Sequence, residues 1–111
     1  MTSQAVRLQT KNITDWDSFH SVFAETLGFP DFYGRNMDAW IDCMTCLDDA
    51  DSGMTKVTVS RGEMFHLEVL RAADFQLRVP EIFRMFIQSA AFVNWRRVDK
   101  GERPVLALIL L

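Results

Sequence analysis

Two cysteines, two histidines and a run of aspartates are the residues of this sequence whose chemistry bears on function. Cys43-Met44-Thr45-Cys46 has the spacing of a disulfide-exchange pair or of half a zinc site. Reactive pairs of that kind sit at a helix N-terminus, where the dipole lowers the thiol pKa, and this pair falls in the middle of a predicted helix. A metal would need further ligands, and His20 and His66 each stand alone in the sequence. Cys43 therefore reads as a packed thiol, Cys46 as a boundary residue, and both histidines as surface or boundary positions. Asp38 and Asp42 are spaced for one helix face and have the makings of an acid–base pair, but a convex face is not a pocket. With no Gly-rich phosphate loop, nucleophile elbow or metalloprotease motif, the chain reads as a non-enzyme requiring neither cofactor nor metal.

The elements that position these residues follow from periodicity. Val6-Arg7-Leu8 predicts a short strand, and Thr14 with Asp17 has the form of a capping box opening a helix over about 15–27. Phe19, Val22, Phe23, Thr26 and Leu27 give that helix one mostly apolar stripe, and Gly28 suits its left-handed end. After an aromatic loop, Asn36 is placed to N-cap a second helix reaching about residue 47. Lys56-Val57-Thr58-Val59 reads as a β-branched strand, 63–75 as a third helix, and Pro80 as the first residue of a fourth that ends near 97. Arg96, Arg97, Asp99, Lys100 and Arg103 read as a solvated turn. The apolar run from Val105 predicts a strand covered on both faces, as in the middle of a parallel sheet. The order β-α-α-β-α-α-β implies one α/β domain over residues 1–111, with a three-stranded, mostly parallel sheet packed with about four helices.

The second helix divides cleanly. Met37, Trp40, Cys43, Met44 and Leu47 fall on one side and belong to the core, while Asp38, Asp42, Thr45 and Asp49 fall on the other. Between residues 31 and 51 there are six aspartates and one base, Arg35, a net charge of −5, although the whole chain carries only −3. Like charges at i,i+4 weaken an isolated helix by a few tenths of a kcal/mol, so stability alone does not favour Asp38 with Asp42. Carboxylates concentrated beside Phe32 and Tyr33 have the composition of a protein-binding patch for a cationic groove.

The stretch Leu27-Gly28-Phe29-Pro30-Asp31-Phe32-Tyr33-Gly34-Arg35-Asn36-Met37-Asp38-Ala39-Trp40-Ile41-Asp42-Cys43-Met44-Thr45 closely resembles the signature of the barstar family, intracellular ribonuclease inhibitors. The resemblance implies a barstar-like fold and a helix that, with the loop before it, plugs the active site of a small, basic, barnase-type ribonuclease. It implies Asp42 as the central carboxylate, with Asp38 one turn earlier, Tyr33 as an aromatic contact and Thr45 as a polar one. Phe32, Ile41 and Cys46 complete the expected binding residues; Asn36 caps and orders the loop, and Gly34 lets it turn. Three departures stand out. Phe32 keeps the ring of a family tyrosine without its hydroxyl, and Ile41 and Leu47 replace aromatic contacts. Trp95-Arg96-Arg97 occupies a region where the family offers a carboxylate.

Composition bounds the alternatives. At 49% hydrophobic residues the chain can bury a core, and its longest apolar run, seven residues, is far below the roughly 18 needed to span a bilayer. The N-terminal residues lack the apolar segment of a secretory leader, and two cysteines without a framework agree with a cytoplasmic protein, expected as a monomer. Mild acidity argues against nucleic acid as a direct ligand and for a basic protein partner. Two other readings stay open: a non-inhibitory interaction module that kept the fold and changed partner, and a thiol redox protein built on Cys43 and Cys46.

Overall fold

Phe65, Leu67 and Val69 point into the core, while His66 and Glu68 between them are only half-buried, and this period-two pattern makes 65–69 a strand rather than the start of a helix. In the computed structural model, which describes residues 5–111, the elements are β1 (Val6–Leu8), α1 (Trp16–Leu27), α2 (Met37–Thr45), β2 (Phe65–Val69), α3 (Ala72–Arg78), α4 (Pro80–Asp99) and β3 (Leu106–Leu110). The order β-α-α-β-α-α-β is as the sequence implies, and the sheet is wholly parallel in the order β1-β2-β3. Three assignments change within it. The expected helix over 63–75 is a strand, a turn and a shorter helix, broken where Arg71 adopts a left-handed backbone (φ 53°). The β-branched segment 56–59 joins no ladder: the Lys56 and Val57 amides donate to the Leu27 carbonyl and the Val59 amide to that of Leu47, so the segment closes the ends of the first two helical regions. The C-terminal strand lies at the sheet edge, and β2 takes the centre.

The helix ends that frame the functional region are locally encoded. Asp15, not Thr14, caps α1: its Oδ1 accepts from the Ser18 amide at 2.8 Å and Ser18 Oγ accepts from the Asp15 amide at 3.0 Å. Gly28 ends α1 at φ 70°, and a Cβ there would stand 2.6 Å from that of Lys56. Asn36 caps α2 by accepting from the Ala39 amide at 2.8 Å. Pro80 opens α4.

The core beneath α2 is aromatic. Trp40 is fully buried, edge-on to Phe23 at 5.4 Å and to Phe86 of α4 at 6.0 Å between ring centroids. Phe19, Phe65 and Phe75 extend the cluster, so α1, α2 and α4 close on one another through rings that fix where the outer face of α2 points. Among the described residues, no helix is long and apolar enough to cross a membrane. The first four residues, part of the segment on which the reading of no secretory leader rests, lie outside the described ones.

Candidate functional site

Helical periodicity leaves Asp38 and Asp42 exposed, one turn apart on α2, while Trp40, Cys43 and Met44 are buried behind them. The loop entering α2 brings Phe32 beside them with its ring 76% exposed, the most exposed aromatic among the described residues. Phe32, Tyr33 and Asp42 line a depression of about 280 Å³ together with Pro30, Gly34, Ala39, Cys43 and Met54. Asn36, Asp38, Ile41, Thr45 and Cys46 do not line it. Thr45 is half-buried and its hydroxyl donates to the Ile41 carbonyl at 2.6 Å, a bond back to the preceding turn. Asn36 is held by capping α2 and by donating to the Gly34 carbonyl. Ile41 is half-buried against the core, and Cys46 is the half-buried C-cap.

The loop is held from α1. Tyr33 packs tilted against Phe29, with ring centroids 4.7 Å apart, and its hydroxyl is hydrogen-bonded to His20 Nδ1. Burial pushes the Tyr33 phenol above its ordinary range, so it stays neutral. His20 is 4% exposed, which corrects its reading as a surface or boundary residue; burial, reinforced by the charge of Arg35, lowers its pKa. The turn is made at Arg35 (φ 54°) rather than at Gly34. Arg35 Nη2 donates to the carbonyl and carboxylate of Asp17, each at 2.7 Å, and to Ser21 Oγ. The one base of the acidic segment is thereby anchored on α1.

The surroundings of the two cysteines disfavour the thiolate. Cys43 is buried and its thiol is pushed up to about 11, chiefly by burial, with the negative charge of its neighbours adding to the effect; burial raises Cys46 as well. Thiol exchange requires the opposite shift. Among the described residues no group of three or more His, Cys, Asp or Glu is arranged to hold a metal.

Two arginines of α4 reshape the charge of this face, and neither lies in a solvated turn. Arg97 is 4% exposed: its Nη1 and Nη2 donate to the two carboxylate oxygens of Asp48 at 2.9 and 2.8 Å, Nη1 also to the Thr45 carbonyl, and Nε to that of Arg103. Asp48, 3% exposed, also accepts from the Gly62 amide. Arg96, one residue earlier, reaches Asp42, with Nη1 at 3.0 Å from Oδ1. Asp49, beyond the end of α2 and not on its polar strip, lies 3.6 Å from Arg61.

A family model described as Barstar (barnase inhibitor) matches residues 3–106. The chain belongs to the barstar family. A comparison with curated proteins finds no match. Barstar-family proteins act by binding a ribonuclease and are not themselves catalysts, which removes any need for a pocket around the α2 carboxylates. What matters for such an inhibitor is which carboxylates are open to a cation. Of the six aspartates between 31 and 51, Asp48 is buried in a pair, and Asp42 and Asp49 face arginines brought from distant parts of the chain. Asp31, Asp38 and Asp51 have no ion-pair partner among the described residues. The residues that the sequence reading missed are Met54, His20 and Arg61, and for Arg96, which the family resemblance marks as a reversal of charge, its contact with Asp42. None lies on the helical stripe that made α2 legible, and only the fold brings them to it.

Proposed function

We propose that this barstar-family protein inhibits a small basic ribonuclease by laying α2 and the loop before it across the enzyme's cationic cleft, the 1–111 chain acting as one domain in the cytoplasm. The observation that carries the reading is the placement of Asp38 and Asp42 on one exposed helix face beside the exposed ring of Phe32. A cleft that binds RNA phosphates is lined with cations, and carboxylates on a rigid helix offer those cations the same charge without a scissile bond. Rigidity matters because an inhibitor already in its bound shape loses little entropy on docking. The Asn36 cap, the Tyr33–His20 bond and the Arg35 anchor supply it. Asp38 and Asp42 are assigned the electrostatic contacts, Phe32 and Tyr33 the aromatic ones, and Asn36, Ile41, Thr45 and Cys46 the support of that face.

The test is calorimetric titration of wild type and Asp42→Ala with a secreted, basic, guanyl-specific ribonuclease, with RNA cleavage followed in the same mixtures. Tight binding that abolishes cleavage is expected, weakened in the variant by about 2 kcal/mol, the general threshold for an interface hot spot. Asp42→Ala lies on an exposed surface, so it should leave thermal unfolding nearly unchanged. Unaltered affinity in that variant would remove Asp42 from the site. The pairing of Asp42 with Arg96 favours one second reading, a module with a different partner; association insensitive to ionic strength would support it, since plugging a basic cleft weakens steeply with salt.

A further inference from the structure

Arg96 and Arg97 are adjacent in sequence but held in different ways. Arg97 is buried and donates to one carboxylate and two carbonyls, so it belongs to the architecture. Arg96 is partly exposed, and among the described residues Asp42 Oδ1 is its one hydrogen-bond partner. An exposed pair with a single contact contributes little to stability, so it opens easily. Phe92, one turn earlier on α4, stacks with Trp95 at 5.5 Å, and both rings are exposed. Arg96 is the contact that joins this part of α4 to the exposed face of α2.

We propose that Arg96 is a specificity-determining residue for the partner. The proposal rests on the inhibitor reading and deepens it. Arg96 already places a guanidinium on the carboxylate that a ribonuclease cation would engage. A partner cation approaching Asp42 meets a like charge within a few ångströms, and Asp38, Asp42 and Arg96 together present −1 where the two carboxylates alone would present −2. The complementary surface is a cationic cleft whose rim carries a carboxylate positioned to receive Arg96. An enzyme with a uniformly basic rim is disfavoured, because binding it requires either displacing Arg96 or tolerating the repulsion.

The experiment compares wild type, Arg96→Gln and Arg96→Glu by titration and association kinetics against a basic guanyl-specific ribonuclease, and against a variant of that enzyme with one basic rim residue replaced by Glu. Arg96→Gln should bind the unmodified enzyme more tightly by up to about fivefold, the upper end of the scale of one exposed ion pair, with a steeper salt dependence of association. Arg96→Glu should gain more. Against the Glu-bearing enzyme the order should reverse, with wild type above Arg96→Glu. Thermal unfolding of the three proteins should agree closely, since a purely structural arginine would alter unfolding and leave the order of preference unchanged. If wild type binds the basic enzyme and Arg96→Gln binds it equally or less well, the specificity role is wrong and the inhibitor reading stands. If none of the three binds either enzyme, the inhibitor reading fails and this inference fails with it.

Discussion

Replacing Asp48 by Ala is the sharpest test of how the end of α2 is held. Asp48 and Arg97 are 3% and 4% exposed and joined by two parallel hydrogen bonds. The variant strands a guanidinium among buried groups with only the Thr45 and Arg103 carbonyls as acceptors and leaves the Gly62 amide without its acceptor. Breaking a buried pair from one side costs about 3–5 kcal/mol, most of it the burden of the uncompensated charge. Unfolding entropy is about 2.1 cal/mol/K per residue, or about 0.23 kcal/mol/K for 111 residues, so Tm should fall by roughly 13–21 °C. The double variant Asp48→Leu/Arg97→Met strands no charge and should recover part of that loss, the Gly62 amide and the Thr45 and Arg103 carbonyls still losing their partners. The pair also has a pH signature. Burial raises the Asp48 pKa, but the hydrogen bonds from Arg97 and Gly62 and the charges of Arg97 and Arg61 outweigh it and hold the carboxyl below its ordinary 3.8. Its contribution is therefore present above about 3.8 and lost as pH falls through the depressed native value. Circular-dichroism melts of both variants, with an acid titration of the wild type, measure all three effects. A fall in Tm below about 2 °C for Asp48→Ala, the size of a surface substitution, would refute the account of the pair as a structural tie.

Other expectations concern the helix end and the loop anchor. Gly28→Ala places a Cβ 2.6 Å from that of Lys56 at a left-handed backbone, so it should cost at least about 2 kcal/mol in urea unfolding; an unchanged midpoint would show that the 56–59 segment yields easily. His20 is favoured neutral, its folded pKa lying below the ordinary 6.5, chiefly through burial and then through Arg35, with Asp17 opposing. Between those two values the unfolded chain binds more protons, so stability should be full above about 6.5 and decline as pH falls from there toward the lowered folded value. His20→Gln should flatten that part of the profile, and an equally steep decline in the variant would exclude His20 as its source. Asp42→Ala and the Arg96 variants complete the set.

What the sequence made legible was what a single helix encodes for itself. The α2 stripe, the Asn36 cap, the Gly28 end and the Pro80 start all depend on residues within about one turn of each other, and each is found as expected. β2 was obscured because Phe65, Leu67, Val69, Leu70, Ala72 and Phe75 satisfy a helical frame nearly as well as a strand followed by a helix. The residue that separates the two, Arg71, takes a glycine-like backbone without being glycine. Val57 and Val59 carry strand propensity, but their amides find acceptors at helix ends, and propensity cannot tell which acceptor wins. Charge was the least readable quantity. Counting aspartates located the acidic segment correctly, yet Asp48 and Arg97 stand 49 residues apart, and Asp42 and Arg96 stand 54 apart. Nothing local marks which acid remains free for a partner.

The tie from α4 to the end of α2 also bears on the order in which the protein is made. Arg97 emerges from the ribosome long after α2, and it closes both the last carbonyl of that helix and the turn beyond it. A nine-residue helix is too short to persist in water without tertiary support, and that support comes from α4 and from Phe86 against Trp40. A growing chain that has exposed α2 but not yet released α4 therefore carries Asp38, Asp42 and Phe32 without the contacts that hold α2 in place. Competence arrives with the final segment of translation, so a cell making this protein gains protection only from completed chains, and prematurely ended ones contribute none.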